Sequence, residues 1–141
     1  MKKALIAAVA ALTLVPAFAS AESFDDAFNK ARAMYGKGHV FEWQGSQYAA
    51  IHEEEAEANV AATADNAQLM IDKAKAKNKE AAKLGFEWKL TGDILKKAEQ
   101  AKADGDFRKA LDLATQAKYH ARMGIQQYHY AQSNWQLSVP Q

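Results

Sequence analysis

An all-α fold, built as an elongated antiparallel helical bundle or hairpin with alanine-rich seams, is what this 141-residue sequence predicts. Three observations carry that expectation. After an N-terminal leader the chain has a single proline, Pro140, so no helix interior is broken by one. Alanine supplies 23 of the 53 apolar residues that follow the leader, and alanine, lysine and glutamate are all strong helix formers. Small residues also recur at spacings of three and four, as in Ala110, Ala114, Ala117, Ala121, Gly124, Tyr128 and Ala131, which is the period of one helix face. Such rows let helices approach at the lower end of the ~8–10 Å range. Each alanine buries little apolar area, so the core is thin.

The elements follow in order. Lys2-Lys3, an apolar run over residues 4–15, Pro16 and the small residues Ala19-Ser20-Ala21 have the form of a secretory signal peptide cleaved before Glu22. The expected product is a soluble periplasmic protein without a membrane span. Ser23 with Asp25 and Asp26 reads as an N-cap and acidic first turn, opening a short helix to about Tyr35. An aromatic loop carrying Val40, Phe41 and Trp43 is expected to complete residues 22–45. Residues 46–84 contain no breaker before Gly85 and read as one long helix, ~57 Å at 1.5 Å per residue over its 38 positions to Lys83. A loop over residues 86–92 and a helical hairpin within residues 91–133 complete the chain. In the hairpin, Asp104-Gly105-Asp106 turns from a helix starting near Asp93 into one starting near Phe107. One all-α domain over residues 22–141 is expected. Phe41-Glu42-Trp43 recurs as Phe86-Glu87-Trp88, a faint sign of two related halves.

Charge and motifs exclude several classes. Without the leader the chain has 16 basic and 17 acidic side chains, a balance that argues against nucleic-acid binding. The absence of cysteine excludes disulfides, c-type haem attachment and thiol catalysis. There is no P-loop, dinucleotide fingerprint or nucleophile elbow. His52-Glu53-Glu54-Glu55 lacks the second histidine of a zinc helix, because Ala56 occupies its place. The chain is therefore expected to be no enzyme and to need no cofactor or metal. A metal-binding bundle using His52 and Glu55 ranks last among the alternatives.

Two features point to a protein partner. Glu53, Glu54, Glu55, Glu57 and Asp65 form an acidic block, and Lys73, Lys75, Lys77, Lys79 and Lys83 a basic one. On a continuous helix their centres are ~30 Å apart, giving a rod with an acidic and a basic end, and the lysines could steer a partner of opposite charge. The loop aromatics, Trp43 and Trp88 above all, are of the type that dominates binding hot spots, and Tyr119, Tyr128, Tyr130 and Trp135 add rings near the C-terminus. The candidate partner-binding residues are Trp88, Glu87, Phe86, Trp43, Lys73, Lys75, Lys77 and Tyr128.

Gly85-Phe86-Glu87-Trp88, followed by Thr91, Ile94-Leu95, Ala98, Ala101, Gly105-Asp106-Phe107, Ala110, Leu113-Ala114, Ala117 and Ala121, resembles the small periplasmic SoxXA-binding proteins of sulfur-oxidising bacteria. The resemblance covers about residues 74–128, while residues 22–62 lie outside it. It implies a non-catalytic accessory protein that binds and stimulates a c-type cytochrome in thiosulfate oxidation. Trp88 would be the anchor, Glu87 a specificity contact and residues 73–83 the steering patch. The alternative is a self-assembling helical structural or envelope-associated protein, a homo-oligomer joined through its alanine seams.

Overall fold

The computed structural model describes residues 22–138, and the leader expected over residues 1–21 lies outside them. Instead of one helical domain, the described chain forms two compact units that part after Ala50.

The first unit begins as the sequence predicts. In α1 (Phe24–Tyr35) Ser23 Oγ accepts the Asp26 backbone N–H at 3.1 Å, Asp25 and Asp26 face the positive helix end, and Gly36 closes the helix with φ 85°. The next ten residues differ from the expected loop and helix start. β1 (Val40–Trp43) pairs antiparallel with β2 (Ser46–Ala49), Val40 opposite Ala49 and Trp43 opposite Ser46. The turn residues Gln44 and Gly45 have φ of 49° and 78°, and two positive values in succession match the twist of a tight hairpin.

The cause is the alternation of rings. Phe41 and Trp43 share one strand face. Their rings meet Phe24 at 5.8 and 5.4 Å, and Phe41 meets Tyr48 of β2 at 5.9 Å. Burying rings against α1 outweighs the helix propensity of residues 46–49. Trp43, expected in a binding loop, belongs to this aromatic cluster, and its indole N–H donates to the Glu22 carbonyl at 2.9 Å. The two Phe-Glu-Trp copies also differ: the first is a strand, the second precedes a helix.

The second unit holds α2 (Glu53–Glu57), α3 (Ala64–Lys83), α4 (Lys89–Ala103), α5 (Phe107–Asn134) and a closing 3-10 turn, Trp135–Ser138. The long helix expected over residues 46–84 is therefore a strand, a short helix, a turn and a helix of 20 residues. No glycine or proline makes the break. Thr63 Oγ1 accepts the Asn66 backbone N–H at 3.2 Å with Asp65 in the first turn, so Thr63-Ala64-Asp65-Asn66 is a complete start signal inside a breaker-free run. Asn66 Nδ2 also donates to the Ala61 carbonyl at 2.8 Å, holding the turn.

α3, α4 and α5 pack on one another around Ile71 and Leu111, with Met70, Ile94 and Leu95 beside them. The small-residue rows lie inside: Ala67, Ala74, Ala81, Ala98, Ala101, Ala110, Ala114, Ala117 and Ala121 are all buried. The seams fail at their ends, where Ala56, Val60, Leu90 and Ala131 are exposed. Two tight turns connect the helices. Gly85 (φ 74°) sends its N–H to the Ala82 carbonyl while Phe86 N–H reaches the Ala81 carbonyl, both at 3.0 Å, a Schellman motif. Gly105 (φ 79°) makes the other, and Asp106 Oδ1 caps α5 by accepting the Lys109 N–H at 3.1 Å. α4 starts four residues before the expected Asp93, because Trp88 takes the N-cap place and its carbonyl accepts the Thr91 N–H at 2.9 Å.

Candidate functional site

The turn between α3 and α4 delivers two of the expected residues, Phe86 and Trp88, to α5. Trp88 is half-buried, its indole N–H donating to Gln127 Oε1 at 3.1 Å and its ring 5.5 Å from that of His120. The half-buried Phe86 ring meets Tyr128 edge-on at 5.6 Å. Between them Gly124 is buried, and a Cβ there would overlap the Phe86 carbonyl oxygen. A glycine in the α5 seam is thus what lets the turn lie on the helix.

Glu87 is exposed and accepts from Asn78 Nδ2 of α3 at 2.5 Å, so it ties the turn to the bundle. Lys73, Lys75 and Lys77 are elsewhere on α3, and each faces a carboxylate: Glu57 at 3.2 Å, Glu99 at 2.5 Å and Glu80 at 2.7 Å. Trp43 lies in the other unit.

Beside Trp88 runs an open groove of about 420 Å³. Its wall along α5 is Tyr119, His120, Met123, Gln126, Gln127 and Tyr130, spaced so that they form one stripe. That stripe was legible as an i, i+3, i+4 pattern. The alanine seam beside it is the stronger apolar signal, and it marks the buried face instead. Tyr119 is held from two sides, by the Arg122 guanidinium at 5.3 Å from its ring and by the His52 ring at 4.6 Å. His120 Nδ1 is buried with no hydrogen-bond partner among the described residues, and burial pushes the imidazole pKa below its ordinary value. Tyr130 stands 65% exposed at the far end.

The acidic block, expected as one end of a charged rod, supports this wall. Once the chain breaks after α2, Glu54 folds onto α5 and becomes fully buried. Its carboxylate takes Arg122 in a two-point pair, Nε at 2.6 Å and Nη2 at 3.1 Å. Glu53 adds a third contact to Arg122 at 3.4 Å, and Glu57 holds Lys118 at 2.6 Å as well as Lys73. Burial acts to raise the Glu54 pKa, but hydrogen bonds and the charges of Arg122 and Lys118 outweigh it and hold the carboxyl below its ordinary value. Glu57 is lowered too, first by its hydrogen bond from Lys118. Of the two blocks expected at opposite ends of a rod, Glu57 and Lys73 pair with one another, while Glu53 and Glu54 pair with Arg122, and Lys75 and Lys77 with Glu99 and Glu80.

His52 and Glu55, the residues weighed for a metal, share a helix cap in which the His52 backbone N–H donates to Glu55 Oε2 at 2.9 Å. Among the described residues no group of three or more His, Asp or Glu side chains is arranged to hold a metal ion, and no helix is long and apolar enough to cross a membrane. Together these features give an all-helical unit carrying an aromatic groove, with a separate helix–hairpin unit ahead of it. Comparison with protein-family models, with curated proteins and with solved structures gives no match.

Proposed function

We propose that the chain is a non-catalytic accessory protein, exported by its leader and released into the periplasm, that docks onto a partner protein through the groove beside Trp88. The observation that carries this reading is an accessible aromatic site whose rings are already held by neighbouring side chains. Trp88 is fixed by Gln127 and the Gly124 approach, and Tyr119 by Arg122 and His52. Side chains already immobilised lose little entropy on binding, and Trp and Tyr are favoured anchors. The resemblance of residues 74–128 to SoxXA-binding proteins supplies the partner class, a c-type cytochrome acting in thiosulfate oxidation. Phe86 and Tyr128 shape the site, and Glu87 positions the turn. Since Lys73, Lys75 and Lys77 already face carboxylates, they steer the partner less than their number implies.

The test is capture from periplasmic extract on tagged protein spanning residues 22–141, followed by haem staining. A co-purifying haem protein that is lost with Trp88→Ala supports the reading, and a bait that captures none overturns it. Exposed Tyr130, Trp135 and Leu137 at the end of the chain favour self-assembly as the second reading. Sedimentation of the purified protein as a concentration-dependent oligomer would support that one.

A further inference from the structure

The groove carries no formal charge: no Asp, Glu, Lys or Arg lines it, and none follows Arg122 in the sequence. The nearest cation, Arg122 against the Tyr119 ring, is already paired with Glu54 and Glu53, so a charged ligand seated in the groove would meet no unpaired counter-ion among the described lining residues. The polar groups that remain are rich in donors. Gln127 uses its oxygen to accept from the Trp88 indole, which leaves its NH2 for a ligand. Gln126 adds a second amide, and Tyr119 and Tyr130 add hydroxyls. A proton on His120 Nδ1 would be a buried, unpaired N–H, so the neutral ring carries its proton on Nε2.

The matching ligand has apolar rings and carbonyl oxygens with no partners of their own. A helix or a paired strand uses its carbonyls internally. A polyproline II segment leaves them free, presents pyrrolidine rings, and is already ordered before it binds. The dimensions agree. Tyr119 and Tyr130 are eleven residues apart on one helix, about 16 Å along its axis, which is the length of about five residues of polyproline II.

We propose that the groove binds an uncharged, proline-containing extended segment of the partner, its rings against Trp88, Tyr119 and Tyr130 and its carbonyls accepting from Gln126, Gln127 and the tyrosine hydroxyls. This rests on the reading of the groove as the partner site and names what the partner inserts there.

The test titrates protein spanning residues 22–141 with acetylated, amidated decaproline and follows the indole N–H resonances by NMR. The Trp88 resonance shifts saturably, that of Trp43 stays in place, and the affinity is unchanged between low and high salt. Tyr130→Ala removes an exposed ring and weakens binding about tenfold with the helical signal intact. No shift of Trp88, tighter binding of an acidic or basic peptide, or saturation by a neutral oligosaccharide instead each overturns the proposal. Haem-protein capture that survives while decaproline fails to bind defeats this inference and leaves the partner reading standing. Decaproline binding without any captured haem protein supports the inference and defeats the cytochrome reading.

Discussion

Two glycine-to-alanine substitutions in neighbouring helices have opposite predicted effects, and the difference measures how the turn seats on α5. In an open helix interior, alanine is favoured over glycine by about 0.8–1.0 kcal/mol. Gly92 in α4 meets that condition, because a Cβ there has nothing within 4 Å. Gly92→Ala should stabilise by nearly the full amount. At Gly124 the same propensity gain is available, but the Cβ would overlap the Phe86 carbonyl oxygen. That atom is backbone, and the Phe86 N–H is bonded to Ala81, so it cannot swing aside as a side-chain tip could. Overpacking of this kind costs about 1–3 kcal/mol, and with so deep an overlap the upper half of that range applies. The net effect is a loss of about 1–2 kcal/mol. Each kcal/mol moves the midpoint by about 4–8 °C in a domain of this size. Thermal melts followed by far-UV circular dichroism should show Gly92→Ala above the parent and Gly124→Ala below it. If Gly124→Ala rises alongside Gly92→Ala, the turn does not lie on α5 as described and the groove loses its wall.

Four further predictions rest on the same structure. Arg122→Met leaves the Glu54 carboxylate buried without its partner and should cost about 3–5 kcal/mol in urea unfolding, much of it recovered when Glu54→Met is added; equal loss in the single and double variants would refute the pairing. Lys73→Ala, at a largely solvated pair, should cost less than about 1 kcal/mol by the same measurement. Glu54 and Glu57 have folded pKa values below the ordinary carboxyl value of 4.5. The stability they confer is therefore complete above 4.5 and is lost as pH falls through the folded values. His120, lowered from 6.5, leaves the folded state binding fewer protons than the unfolded one, so stability also declines as pH drops below 6.5. Unfolding free energies measured against pH should show both declines, with the His120 part absent in His120→Gln. Trp88→Ala should weaken partner binding by more than about 2 kcal/mol while helicity is retained; collapse of the helical signal would make Trp88 chiefly a packing residue.

The helical hairpin was legible because its signals are local. The Asp104-Gly105-Asp106 turn, the glycine after α3 and the alanine rows each act within a few residues; both turns lie where expected, and the rows are buried except at their ends. Phe86 and Trp88, singled out from the sequence, both reach α5, the first at Tyr128 and the second at Gln127 and His120. The hairpin of β1 and β2 was missed because its signal is a ring alternation of four residues, beside a glycine read as a loop end. The break before α3 was missed because a search for breakers overlooks a start signal made of Thr63, Asp65 and Asn66. The burial of Glu54 is not legible in the sequence because nothing adjacent to it reveals that Arg122 lies opposite.

Sequence alone determined the helical class of the second unit, the places of its two tight turns and the faces its helices bury, because propensity, capping and periodicity act over one or two turns of chain. Tertiary structure decided the rest. It made a strand of residues 46–49 by giving the rings of β1 a helix to cover. It turned an acidic surface into a buried anchor by bringing Glu54 to Arg122, 68 positions away. It also made a groove from a tryptophan on one turn and a stripe on another helix. Ion pairing and ring packing depend on distance in space, and that distance is settled only when the helices meet.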